Sequence, residues 1–211
     1  GQLVTPDNYA RAEVDESYKN IVKDVGSNAF RHDRALMPLD KQPAVTMNRD
    51  TVYSFGVFYV PEGTTITLPK SADNRYQSAM IMQNDDFTDQ VFYAPGTFEI
   101  KSKTEFAAVV MRTQINPNDP ADTQNVKTLQ DGIKVNWPKG TVPKKYKIVD
   151  WDEASRMKLR SEYQKEAAKL TNFNDTSGAR GVIKPEMLRL SASVALGLLP
   201  AKDAVYLYRD Y

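Results

Sequence analysis

The feature that most constrains the fold is a series of short apolar segments divided by turn residues rather than by helices. The first of them, Thr51 to Val60, carries apolar side chains on both of its faces, which predicts a strand covered on both sides. Turn signals such as Pro61-Glu62-Gly63 and Pro95-Gly96 separate the segments. Because short strands joined by turns pair antiparallel, the pattern predicts a sandwich or a barrel. The expected strands cover residues 51–60, 65–68, 76–83, 90–93, 98–100 and 107–115.

Helical patterns flank this β-rich middle on both sides. Thr5-Pro6-Asp7 resembles a helix start, and apolar residues then recur at spacings of three and four as far as Val25. After Asn116 the apolar period is again that of a helix. The expected helices cover residues 5–25, a segment after Asp119-Pro120, residues 152–170 and a segment from Pro185, and further strands are expected over 144–149 and 204–208.

These elements are interpreted as one domain over residues 1–211. It would consist of an N-terminal helix at about 5–25, a β-rich core at about 44–115, and helical and strand segments at about 120–208. The expected fold class is α+β, a mostly antiparallel β-sandwich decorated by N-terminal and C-terminal helices.

Composition excludes several function classes. The chain has 28 basic and 27 acidic residues, which argues against a nucleic-acid partner because such binding needs a concentrated basic surface. It has no cysteine and no run of about 18 apolar residues, so thiol chemistry and a membrane span are not expected. No phosphate-binding glycine motif occurs, and no cofactor or metal ligand set is predicted. The polar start without an initiator methionine is typical of a mature chain, and we expect a periplasmic or secreted protein.

The densest polar cluster is Asn48-Arg49-Asp50-Thr51, which leads directly into the first strand. Asn48 and Asp50 could orient a ligand or a catalytic water, and Arg49 could hold an anion with two hydrogen bonds. Tyr53 would project from the same face of the strand as Thr51. The alternative interpretation is a turn with an internal salt bridge that fixes the start of the strand.

Two further charged features stand out in the strands. Arg112 lies within an apolar strand, where it must either pair with a carboxylate, for which Asp50 is a candidate, or line a cleft. Asp85 belongs to an acidic group at the end of the strand from Tyr76, and such a group could divide acid and base roles, hold a hard cation through oxygen, or simply form a turn.

Several motifs resemble the bacterial family called domain of unknown function 1254. They are Asn48-Arg49-Asp50-Thr51-Val52-Tyr53-Ser54, Arg75-Tyr76 followed by Asn84-Asp85, the turn from Tyr93 to Gly96, Arg112-Thr113, Leu129-Gln130-Asp131, and Leu198-Leu199-Pro200 with Ala204-Val205-Tyr206. The resemblance implies a sandwich of jelly-roll type in a single-domain member of a frequently exported family. It carries over Asn48, Asp50, Tyr53, Asp85 and Arg112 as candidate pocket residues, and it implies no reaction.

Three functions are compatible with these residues. The first is a hydrolase of a small or carbohydrate-like substrate, with Asp50 or Asp85 as general base, Arg112 or Arg49 as anion clamp, and Asn48 and Tyr53 orienting the substrate. The second is a noncatalytic module that binds a carbohydrate or small organic ligand against aromatic side chains: Tyr53, Phe55, Tyr59 and Tyr93. The third is a structural or interaction domain. The sequence leaves the oligomeric state open.

Overall fold

A computed structural model describes residues 1–36, 50–171 and 176–196. Within these ranges the chain forms four helices and eight strands. In chain order they are α1 Tyr9–Val25, β1 Phe30–His32, β2 Thr51–Tyr59, β3 Thr65–Leu68, β4 Gln77–Gln83, β5 Gln90–Tyr93, β6 Gly96–Glu99, β7 Phe106–Gln114, α2 Asp122–Asp131, β8 Lys134–Asn136, α3 Glu153–Ala167 and α4 Pro185–Val194.

The strands form two sheets in which every pair is antiparallel. The larger sheet has the order β1-β2-β7-β4-β5, and the smaller sheet has the order β6-β3-β8. The longest pairing joins β2 to β7, with Thr51 opposite Gln114 and Tyr59 opposite Phe106. The expected α+β class with antiparallel sheets is therefore confirmed, and its eight described strands match the number in a jelly roll, divided five to three.

The larger sheet is buried on both faces, as the apolar pattern of β2 predicts. On one face, side chains such as Val57, Met80 and Val110 join a core with α1 and α4. On the other face, Phe58 and Val109 pack with residues of the smaller sheet. The result is a sandwich of two sheets with helices over the outer face of the larger one, because that face would otherwise expose apolar side chains.

Two expectations about the elements are wrong, and two strands were not predicted. No strand forms over residues 144–149: Tyr146 is its one buried side chain, and the backbone N–H of Tyr146 donates to Ser27 Oγ at 2.9 Å instead of to another strand. The first helix begins at Tyr9 and not at Thr5, because Asn8 Oδ1 accepts from the backbone N–H of Thr5 at 2.8 Å and holds residues 5–8 in a turn. Strands β1 and β8 were not expected. The expected strand at 204–208 lies outside the described residues.

Candidate functional site

Four polar or aromatic side chains form one row across the larger sheet. The register places Tyr53 opposite Arg112, Arg112 opposite Ser78, and Ser78 opposite Tyr93. Directly opposed residues project from the same face of a sheet, and strands are about 4.8 Å apart, so the row spans about 14 Å. This is the face that α1 and α4 cover further along the strands. We call these four residues the Arg112 row.

Arg112 is buried in this row without a carboxylate beside it. Arg112 is 7% exposed, and its Nη2 donates a hydrogen bond to Tyr76 Oη at 2.5 Å. The guanidinium carbon also lies 5.1 Å from the centroid of the Tyr76 ring. Within the described part of the chain, Nε and Nη1 of Arg112 have no hydrogen-bond partner, and no ion pair involves this side chain. Two charged donors are thus buried and unused.

Unpaired polar atoms are concentrated around this guanidinium. Eight buried side-chain N or O atoms lack a hydrogen-bond partner among the described residues, and four of them are Thr51 Oγ1, Tyr53 Oη and the two Arg112 nitrogens. Burial raises the pKa of the Tyr53 hydroxyl, and the positive charge of Arg112 together with the nearby Thr51 hydroxyl and Arg112 guanidinium partly offsets this rise. Since buried polar groups are nearly always paired in folded proteins, such a cluster indicates a place where a bound group would supply the partners.

Tyr76 and Tyr93 form the end of the site that reaches solvent. Their ring centroids are 6.0 Å apart with an interplanar angle of 64°. Tyr93 is 39% exposed, whereas Tyr53 at the other end of the row is 5% exposed. Tyr76 was not predicted as a site residue, although it stands two positions before Ser78 on the extended chain and shares its face. The sequence signal for it was the two-residue alternation of the strand.

Asp50 lies at the end of the sheet, beyond the strand position of Arg112. Its backbone oxygen accepts from the N–H of Ile115, so it is three residues, or about 10 Å, further along β7 than Arg112. The expected Asp50–Arg112 pair is not formed. Asp50 is exposed and lines an open cleft of about 500 Å³ together with Arg75 and Asp122.

The charges of this cleft satisfy one another. Arg75 donates to both carboxylate oxygens of Asp122, at 2.7 and 2.9 Å, and to Asp73 at 2.8 Å. Asp122 also accepts from the backbone N–H of Asn116 at 2.8 Å. The hydrogen bonds from Arg75 hold the pKa of Asp122 well below its usual range. This geometry ties the start of α2 to β7 and leaves the Arg75–Asp122 pair no spare donor for a substrate.

Asp85 occupies the opposite end of the sheet. Gln83, the last residue of β4, pairs with Ala107 of β7, eight residues from Ile115, so Asp50 and Asp85 are separated by about 25 Å along the strands. Both carboxylate oxygens of Asp85 accept from Arg180, at 2.7 and 3.2 Å. Asp85 therefore anchors the segment around Arg180.

The remaining predicted site residues, Asn48 and Arg49, lie outside the described residues. Of the seven predicted site residues, the structure brings Tyr53, Arg112 and Tyr93 into one row and puts Asp50 and Asp85 elsewhere. Among the described residues, no three His, Asp or Glu side chains are gathered to hold a metal ion. None of the described helices is long and apolar enough to cross a membrane.

No family model and no curated protein matches this chain. Among solved structures, the chain is similar to the crystal structure of the VPA0106 protein from Vibrio parahaemolyticus. The two share 15% sequence identity with a TM-score of 0.59, and the match covers 93% of this chain and 69% of that one. At this level of identity the likeness shows the fold alone.

Proposed function

We propose that the protein is a noncatalytic module that binds a small anionic ligand at the Arg112 row. The observation that carries the proposal is the buried guanidinium of Arg112, which has two unpaired N–H donors and no carboxylate partner in the described ranges of the chain. An unpaired buried charge costs several kcal/mol, and a bound anion would remove this cost.

The donor geometry of Arg112 suits such an anion. A guanidinium offers two edges, Nε with Nη2 and Nη1 with Nη2, and each edge can hold two oxygens at once. Nη2 carries two hydrogens and Tyr76 Oη accepts one of them, so one complete edge stays available. The hydroxyls of Tyr53 and Thr51 lie close to each other and to this guanidinium, and a hydroxyl rotates to donate to whichever acceptor is present.

The positions of the carboxylates favour binding over hydrolysis. A general base must lie within about 3 Å of the proton that it removes, or reach it through one water. The backbone of Asp50 lies about 10 Å along the strands from that of Arg112, no ion pair joins the two side chains, and Asp85 is held by Arg180 at the far end of the sheet. Hydrolase activity, export and membership of the domain of unknown function 1254 family stay predictions.

The test of this function is ligand-induced stabilisation of the wild-type protein and of the Arg112→Met variant. The anionic probes are acetate, benzoate, glucuronate, sulfate and phenylphosphonate, and the neutral controls are benzamide and glucose. We expect at least one anion to raise the melting temperature of the wild type in a saturable way and to have no such effect on the variant. Stabilisation by none of the anions, or equal stabilisation of both proteins, would refute the proposal.

A further inference from the structure

We propose that residues 142–149 form a docking edge for an extended, acidic segment of a partner protein, which adds to this edge as a β-strand. We call these residues the Tyr146 segment. This edge is separate from the Arg112 row: Lys144 Nζ lies 5.4 Å from the centroid of the Tyr59 ring, and Tyr59 is six residues, or about 20 Å, along β2 from Tyr53.

The Tyr146 segment belongs to a long connection that is held firmly in place. Residues 137–152 separate β8 from α3 and contain no helix or strand. The buried Tyr146 fixes their middle, since its hydroxyl donates to Asp15 Oδ1 at 2.5 Å, and Trp151 Nε1 donates to Asp15 Oδ2 at 2.8 Å. Connections of more than about 12–15 residues without secondary structure are uncommon in compact domains, and those with fixed positions usually have a function.

One side of the backbone of the segment is open to pairing. The carbonyl of Lys144 and the N–H of Tyr146 both bond to side chains of residues 27–28, each at 2.9 Å. Tyr146 is buried between the exposed Lys145 and Lys147, which is the alternation of an extended chain. In such a chain the backbone groups of successive residues point to opposite sides, so those of Lys145 and Lys147 point away from residues 27–28. Within the described part of the chain, their N–H groups have no hydrogen-bond partner.

The composition of the segment also favours strand pairing. The sequence predicts a strand over 144–149, where Tyr146, Ile148 and Val149 are residue types enriched in strands. Two apolar side chains of the segment face solvent, because Val142 is 84% and Ile148 is 44% exposed. A strand added by a partner would bond the open backbone groups and cover these side chains, as happens when a peptide extends the edge of a sheet.

The charge of the segment selects an acidic partner. Residues 137–149 contain four lysines, at positions 139, 144, 145 and 147, and no acidic residue. Lys144 pairs with Glu105 at 2.8 Å, whereas the other three lysines form no ion pair with any described residue. Opposite charges on neighbouring strands stabilise their pairing and like charges oppose it, so a carboxylate-rich strand is favoured over a second copy of this segment. The balanced charge of the whole chain, 28 basic and 27 acidic residues, favours a peptide over a nucleic acid.

The experiment measures, by titration calorimetry, the binding of a capped peptide of about eight alternating glutamate and valine residues, a length typical of one strand. The matched peptide has the same sequence with two adjacent central amide nitrogens methylated, so that neither of its edges can pair. We expect this methylated peptide to bind at least about tenfold more weakly, because main-chain hydrogen bonds supply the affinity of an added strand. On peptide binding, hydrogen exchange of the amides of residues 142–149 should slow.

Charge reversal tests the position of the docking edge. The double variant Lys145→Glu/Lys147→Glu should bind the unmodified peptide at least about tenfold more weakly than the wild type. The control is Lys158→Glu/Lys165→Glu, which makes the same change of charge at two exposed lysines of α3 that form no ion pair with any described residue. The control should bind the peptide as the wild type does. Equal urea midpoints show that the variants are folded, and the methylated peptide tests the wild type without any substitution.

Four results would overturn the inference: no binding of the unmodified peptide, equal binding of the two peptides, equal weakening by the two double variants, or a heparin oligosaccharide or phosphatidylserine vesicle that binds as tightly as the peptide. The last result would mean that the lysines attract any polyanion. Arg112→Met should leave peptide binding unchanged, so the docking edge and the anion site stand or fall separately. If Arg112→Met abolished peptide binding, the peptide would be a ligand of the Arg112 row and the docking edge would be wrong.

Discussion

Replacing Arg112 by methionine removes a buried positive charge while keeping a long side chain in the same space. The change loses the hydrogen bond to Tyr76 Oη, worth about 1.5–3 kcal/mol for a charged donor, and a cation–π contact of about 0.5–2 kcal/mol. It also removes the desolvation penalty of an unpaired buried ion, which is several kcal/mol. Tyr76 is half-buried, so water can replace its lost partner. We expect the free energy of unfolding of the ligand-free protein to rise by about 1–2 kcal/mol.

A gain of this size is measurable by calorimetry. In a chain of 211 residues, each kcal/mol shifts the melting temperature by about 2–4 °C, so Arg112→Met should melt about 2–8 °C higher than the wild type. The two proteins are compared after exhaustive dialysis, since a ligand carried through purification would stabilise the wild type alone. A fall of more than about 4 °C would refute the reasoning, because it would mean that Arg112 supports the fold.

Arg75→Met is the matched control for this prediction. Arg75 is also largely buried, but it forms an ion pair with Asp122, which is itself only 3% exposed. Removing the guanidinium there leaves a buried carboxylate without its ion partner, at a cost of about 3–5 kcal/mol. Arg75→Met should therefore melt at least about 6 °C below the wild type. If both variants shift in the same direction, the contrast between a paired and an unpaired arginine does not hold.

Three other changes test the contacts that hold the fold. Arg75 lowers the pKa of Asp122, so the ionised carboxylate stabilises the fold above about pH 4 and this contribution is lost as the pH falls. The melting temperature between about pH 7 and 3 should therefore depend less on pH in Asp122→Asn than in the wild type. Glu13 is fully buried between two arginines, and Glu13→Gln should cost about 3–5 kcal/mol in urea denaturation, whereas a cost under about 1 kcal/mol would contradict a structural ion pair. The Tyr18 hydroxyl donates to the backbone carbonyl of Met82 in β4 at 2.6 Å and accepts from the backbone N–H of Ala108 in β7 at 3.0 Å. Tyr18→Phe should therefore lower the free energy of unfolding by about 2–3 kcal/mol in urea denaturation, and an unchanged urea midpoint would contradict this.

Much of the fold could be predicted because long strands display their alternation in the sequence. Strand β2 alternates between two buried faces over nine residues, and the predicted segments for β3 and β5 have the observed bounds. Strands β1 and β8 have three residues each, too few to show a period of two. The segment around Tyr146 has a strand-like composition, but its contacts are to side chains of α1 and the following residues, which composition does not encode.

The site could be predicted in part, because the sequence shows which residue types are present, whereas the strand pairing determines which of them lie next to one another. A single arginine in an apolar strand identified Arg112, and the start of β2 identified Tyr53. The sequence does not contain the register, which puts Arg112 opposite Tyr53 and leaves Asp50 opposite Ile115. A shift of three residues in that pairing would have made the expected ion pair. Register depends on packing across the whole sheet and so is not readable from one segment.

The comparison of two buried arginines gives the strongest reason to connect the Arg112 row with function. Arg156 is 5% exposed and donates to Glu13 at 2.7 Å, so this chain supplies a carboxylate where an arginine is buried for structure. Arg112 is buried to nearly the same extent, and the described residues supply it with only a phenol. An apolar side chain at position 112 would pack against the same neighbours without the cost of desolvating a charge. Proteins keep such locally unfavourable groups mainly where a binding partner uses them, and an anion is the partner that a lone guanidinium selects.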